Sequence, residues 1–178
     1  MRISRSRGGP TRERTTINRV EPPGGWTDPR YAGATLLDSF SVRLPPHAPD
    51  DAYRLSELAL SDPPSGFRLL MRVRDTIMSR LGVKSSGEIG ASAEGRGRID
   101  FFPVLGRTER EVELGAEDRH LDFRTWLTIR GSGAERTFAS TTAATAHNWL
   151  GRSYLAVIGP FHVAVVRSSL RRMLRRLG

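Results

Sequence analysis

The chain has no cysteine, and only one of its 178 residues, Lys84, is lysine. The absence of cysteine excludes a disulfide framework, thiolate zinc ligands and a thiol nucleophile, and it fits a reducing cytoplasm, the expected compartment. No uninterrupted apolar run approaches the roughly 18–20 residues that a membrane span needs. The N-terminal segment is basic and polar with no apolar stretch behind it, which argues against a secretory signal. A Gly-rich dinucleotide fingerprint and a Gly-x-Ser-x-Gly elbow are both missing, and Gly95-Arg96-Gly97-Arg98 lacks the strand–turn–helix setting of a phosphate loop. No cofactor is therefore expected.

Carboxylates are outnumbered: 28 basic residues against 19 acidic ones leave a net charge of +9. The surplus sits at the ends. Arg2, Arg5, Arg7, Arg12, Arg14 and Arg19 lie in the head, and Arg167, Arg171, Arg172, Arg175 and Arg176 in the tail, around a nearly balanced body. A folded nucleic-acid module would interleave a basic face with aromatic platforms or present a groove-entering helix. Neither pattern is present, so nucleic acid is not an expected partner.

Residues 1–30 carry Arg, Ser, Gly, Pro and Thr with almost no apolar side chains, and read as a flexible basic arm. Residues 31–178 have the length and the 38% hydrophobic content of one domain. Alternation over Ala34–Leu44 predicts a first strand, with Leu36, Phe40, Val42 and Leu44 on its apolar side. Asp50 or Asp51 caps a short helix to about Leu60. Ser65 opens a second helix, to Leu81, with a stripe of Phe67, Leu70, Met71, Ile77, Met78 and Leu81. Arg74 falls inside that stripe at about 100° per residue. A guanidinium aimed at a core needs a carboxylate, backbone carbonyls or a bound anion, so Arg74 is either a structural ion pair or the anchor of an acidic ligand.

Strands follow after the Ser/Gly/Glu-rich stretch 83–97. Pro103 interrupts the first, which favours an edge or a bulge. Val112 and Leu114 oppose Glu109, Glu111 and Glu113 on the next, and Gly115–Asp118 reads as a turn. From His120 to Arg130, Leu121, Phe123, Thr125, Leu127 and Ile129 alternate with Asp122, Arg124, Trp126 and Thr128. A strand of small residues, Arg136–His147, leaves room for a closely packed helix or for a cavity. Asn148–Leu177 then reads as one long helix. Leu150, Tyr154, Val157, Ile158, Phe161 and Val165 form a stripe expected to face the sheet. Pro160 is expected to kink the helix and to shift the apolar face to Val163, Val166, Leu170, Met173, Leu174 and Leu177. The order predicts an α+β fold: a curved antiparallel sheet around a long, kinked C-terminal helix, with two short helices after the first strand.

With Arg119-His120-Leu121-Asp122-Phe123-Arg124, His147–Leu155 and Pro160-Phe161-His162, preceded by Leu69–Asp75 and Leu81-Gly82, the chain resembles a bacterial family, domain of unknown function 2867. The resemblance spans about Ala34–Leu174. That family has no established activity. Its element order is similar to the helix-grip superfamily of lipid-transfer, pollen-allergen-like and polyketide-cyclase domains, and this implies a small apolar or amphipathic ligand between sheet and helix.

Three function classes stand. A ligand-binding domain would use Arg74, Tyr154, Arg124 and Phe123. A cyclase, isomerase or lyase would use His120 with Asp122 and Glu111, provided the polar face of the strand lines a cavity; otherwise His120, Asp122 and Arg124 form a cross-strand charge ladder. An interaction module would use the arginine-rich tail on a protein partner, a second copy or an acidic membrane surface. His47, His120, His147 and His162 show no ligand spacing, so no metal is expected.

Overall fold

The computed structural model describes residues 16–61, 97–100, 102–117 and 119–178. The expected helix Ser65–Leu81, Arg74 within it and the first half of the arm lie outside these residues.

Among the described residues, seven strands form one antiparallel sheet: β1 (Asn18–Arg19), β2 (Leu36–Arg43), β3 (Arg98–Ile99), β4 (Phe102–Arg107), β5 (Glu111–Glu117), β6 (Leu121–Arg130) and β7 (Thr137–Ala146). The spatial order is β1-β2-β7-β6-β5-β4-β3. Strands β3 to β7 therefore run as a meander, and β2 lies beside β7. Two described α-helices, α1 (Ala52–Leu60) and α2 (Trp149–Leu177), complete the α+β architecture.

Alternation sorts the side chains into two faces. Register pairs Leu36, Asp38, Phe40 and Val42 of β2 with Ala144, Thr142, Ser140 and Phe138 of β7, and these with Phe123, Thr125, Leu127 and Ile129 of β6. On this face the main core gathers Phe40, Val42, Val112, Leu114, Leu127, Ile129 and Phe138 under Leu55 of α1 and Leu170 and Met173 of α2. The apolar alternation of β6 thus points inward, which decides the face that the sequence left open. The opposite face carries a smaller cluster in which Tyr31 stands edge-on to Trp126, 5.2 Å between centroids. Arg30 lies over both rings, and the Tyr31 hydroxyl donates to the Pro23 carbonyl at 2.9 Å. Within the stretch expected to be an arm, Ile17 is buried and Asn18–Arg19 form strand β1, and Tyr31, the first residue after it, is buried as well.

Local chemistry places the boundaries. The Asp51 carboxylate accepts from the Tyr53 and Arg54 amides at 2.8 and 3.2 Å and caps α1. Asn148 does the same for α2 through the Gly151 amide at 3.1 Å. Next to Pro103, β4 bulges between Val104 and Gly106. The turn expected at Gly115 is instead strand: Gly115, Ala116 and Glu117 pair with Arg124, Phe123 and Asp122. Gly115 suits strand here because a side chain on it would meet the Phe123 carbonyl oxygen at 2.6 Å.

The expected stripe on α2 needs correction. Val157 and Phe161 point away from the sheet, while Gly151, Leu155, Ser169, Leu170 and Met173 are buried. The helix is apolar on more than one side, and periodicity cannot choose among apolar sides. Close approach chooses: a Cβ on Gly151 would fall well inside contact distance of the His120 carbonyl oxygen, so the glycine side turns inward. The second-half face is as expected, with Val163, Val166, Leu174 and Leu177 packed on the main core. The helix runs unbroken through Pro160. By length and average composition it is also apolar enough to cross a membrane, although it contains no uninterrupted apolar run of that length.

Candidate functional site

The inner face of the sheet holds a polar row within apolar surroundings. Asp38, Thr142 and Thr125 occupy directly paired positions on β2, β7 and β6. Asp38 and Thr142 are buried, as is Ser140, the next residue of β7 on the same face. The Thr125 and Thr142 hydroxyls lie 3.2 Å apart. From α2, His162 reaches the Asp38 carboxylate with Nε2, at 3.1 Å from Oδ2 and 3.3 Å from Oδ1. A carboxylate removed from water needs such a partner, and the pair ties helix to sheet. With its Nε2 proton on Asp38, a neutral His162 carries its acceptor lone pair on Nδ1. Phe123, Leu36, Leu121 and Tyr154 pack nearby against Ala144, Ala146 and Leu155. Phe123 also meets Phe102 edge-on at 6.0 Å.

Sequence reasoning passed over this pair, although a signal existed. Asp38 takes the slot between Leu36 and Phe40 on the apolar side of β2. A charged residue in an apolar alternation is the anomaly that singled out Arg74 on its expected helix.

The residues singled out in advance are distributed differently. Phe123 and Tyr154 come together in the cluster beneath α2. Arg124 projects from the other face and pairs across strands with Glu113, at 3.5 Å, and with Glu117. Asp122, on that same outer face, meets His147 Nε2 at 2.9 Å. His120 lies in the bend before β6 and is buried. The Asn148 amide donates to its Nδ1 at 2.8 Å while the Asn148 Oδ1 caps α2. This arrangement places the His120 proton on Nε2 and makes the residue a support for the start of α2. Glu111 accepts from the Thr128 hydroxyl at 3.0 Å and lies 3.8 Å from Arg30. His120, Asp122 and Glu111 thus occupy three separate settings. Among the described residues, no three His, Asp or Glu side chains converge as a metal-ligand set.

Shifted ionisations cluster on the outer face. Hydrogen bonds from the Arg30 backbone and side chain hold the Asp28 carboxyl below the ordinary range. Arg30 is raised mainly by its bond to Asp28. Burial pushes the Tyr31 phenol up.

The arginine-rich end of α2 divides by direction. Arg172 donates to the Ser61 carbonyl at 3.2 Å, and Arg176 to the Leu58 and Ser61 carbonyls at 3.0 and 3.2 Å. These two cap the C-terminus of α1, where a helix carries partial negative charge. His47 Nε2 lies 2.6 Å from the Leu177 carbonyl oxygen at the end of α2. Arg167 donates to the Ile17 carbonyl at 3.3 Å, with its guanidinium over the Phe40 ring. Arg171 and Arg175 remain exposed.

Fold and site together define the class: an α+β domain with an open seven-stranded antiparallel sheet, two described helices on its inner face, and a His–Asp pair between sheet and long helix. The chain belongs to the family described as Protein of unknown function (DUF2867), whose model matches residues 30–169. No curated protein and no solved structure gives a significant match.

Proposed function

We propose that the domain binds a small, largely apolar molecule between the inner face of the sheet and the first half of α2, in a helix-grip-like arrangement with a bend at Pro160. The observation that carries this reading is the polar row Asp38–Thr142–Thr125, with His162 above it, in a mostly apolar layer. Small-molecule sites are mostly apolar with a few convergent polar groups, and this layer has that composition. In this reading Phe123, Leu36 and Tyr154 form the apolar wall, and the His162–Asp38 pair orients a polar group of the ligand. The expected setting is a bacterial cytoplasm.

Native mass spectrometry of the domain purified from its own source tests the proposal. The expected result is a retained small molecule that the His162→Ala variant loses. A spectrum of bare protein, with no thermal shift from a panel of fatty acids, polyketide-like aromatics and isoprenoids, would overturn it.

One observation favours a second reading, a proton-transferring isomerase or cyclase. A carboxylate that holds the imidazole through Nε2 leaves Nδ1 as a base, the orientation general base catalysis requires. In this reading His162 replaces His120 as the proton carrier. Exchange of a ligand C–H proton with deuterated solvent, abolished in His162→Gln, distinguishes it from simple binding.

A further inference from the structure

Three of the four exposed large apolar side chains among the described residues lie on α2: Trp149 at 76%, Val157 at 65% and Phe161 at 55% exposure. At 100° per residue they fall within about 120° of arc, roughly opposite buried Gly151, Leu155 and Met173. At 1.5 Å per residue they span about 18 Å of the helix. Exposed Arg171 and Arg175 continue the same arc roughly three to four turns further on, and exposed Arg152 flanks it. Over its 29 residues α2 carries six arginines and no carboxylate.

An occupant of this face must be apolar over the first half and anionic over the second. We propose that the outer face of α2 docks in the plane of an anionic phospholipid surface. Val157 and Phe161 enter the acyl boundary, Trp149 sits at headgroup depth, and Arg171 and Arg175 meet lipid phosphates. An amphipathic helix lying in the interface has this composition, with aromatic side chains at the boundary and arginines extending their stems toward the headgroups. The inner side of α2 stays on the sheet, so the domain binds peripherally and the helix does not span. A second copy on the same face is disfavoured by mutual repulsion between chains of net charge +9.

Vesicle co-sedimentation of the full chain tests this, with phosphatidylcholine alone and with mixed phosphatidylcholine/phosphatidylglycerol. The expected result is binding to the anionic vesicles that weakens with salt, together with quenching by brominated lipid that Trp149→Phe diminishes. Val157→Ser/Phe161→Ser should lower vesicle affinity at least about tenfold, with an unchanged thermal midpoint because both side chains are exposed. Arg171→Gln/Arg175→Gln should lower affinity for anionic vesicles roughly tenfold or more. Undiminished binding by the serine double variant would overturn the proposal, because attraction would then come from basic segments alone. So would absence of binding to both vesicle types. A wild-type dimer that the serine variant converts to monomer, without vesicle binding, would overturn it in favour of a second copy.

Discussion

Replacing Gly151 by alanine sets two effects of opposite sign against each other. In an open helix the change stabilises by about 1 kcal/mol through backbone entropy. Here the added methyl would stand inside contact distance of the His120 carbonyl oxygen and 3.2 Å from both the His120 carbonyl carbon and the Ala146 Cβ. Restoring ordinary contact at ~3.5 Å requires the start of α2 or the 119–120 bend to retreat by about 1 Å. Three hydrogen bonds cross that gap or depend on it: Asn148 Nδ2 to His120 Nδ1 at 2.8 Å, His147 N–H to the His120 carbonyl at 3.0 Å, and the Gly151 amide to Asn148 Oδ1 at 3.1 Å. At about 1 kcal/mol each, loosening them loses about 3 kcal/mol. After the propensity gain, the net is a destabilisation of roughly 2 kcal/mol, within the range for overpacked sites. For a domain of this size that lowers the thermal midpoint by about 4–8 °C. Gly159, on the same helix, is the control, since its added Cβ would meet only Leu36 Cδ1, at an ordinary 3.6 Å. Part of its propensity gain is lost to the ring of Pro160, so Gly159→Ala should lie between neutral and about 1 kcal/mol more stable. Urea unfolding of both variants gives the comparison. If Gly151→Ala equals or exceeds the wild type, the close approach does not set the rotation of α2.

Arg136, buried, donates to the Pro46, Ala48 and Pro49 carbonyls at 3.1, 2.9 and 3.4 Å and pairs with Asp50 at 3.2 Å. Arg136→Met should cost about 3 kcal/mol in urea unfolding, by leaving these carbonyls without donors; Arg136→Lys should recover only part, since an ammonium cannot reproduce the fork. At the candidate site, His162→Ala strands the buried Asp38 carboxylate and should destabilise by about 2–3 kcal/mol, less than for a fully buried pair because His162 keeps some exposure. Adding Asp38→Asn should restore much of that loss, and a double-mutant cycle with coupling below about 0.5 kcal/mol would show that the two groups do not interact. Tyr31 has a raised folded-state pKa, so above about pH 10 the unfolded chain loses this proton first and stability falls as pH rises through the folded value. Tyr31→Phe should flatten that alkaline limb in pH-dependent unfolding, and an unchanged limb would place the effect elsewhere.

How much was legible in advance differs from element to element. Alternation placed β2, β5, β6 and β7, and identified Leu121–Ile129 as the apolar set, because a strand exposes successive residues to opposite faces and one face must leave water. Asp50 or Asp51 announced a cap and Pro103 an edge or a bulge through chemistry that acts within a few residues, while Asn148, read as the first residue of the long helix, is its cap. Expectation failed where the deciding partner was distant in the chain. Gly115 reads as a turn until the Phe123 carbonyl is beside it, and both readings of His120, charge ladder and proton carrier, overlook Asn148, which binds its ring.

The C-terminal helix marks the boundary most clearly. By itself the sequence determined that a long helix runs from about Asn148, which residues make its second half apolar, and that its end is basic, because these follow from spacing and charge. Only the tertiary structure decided which apolar side meets the sheet and which arginines remain free. The rotation of α2 follows from its closest approach, at Gly151 over His120, and the arginines sort by whether the α1 carbonyls stand within reach. A helical repeat is the same for every rotation about its axis, so only contact with the sheet and α1 selects one.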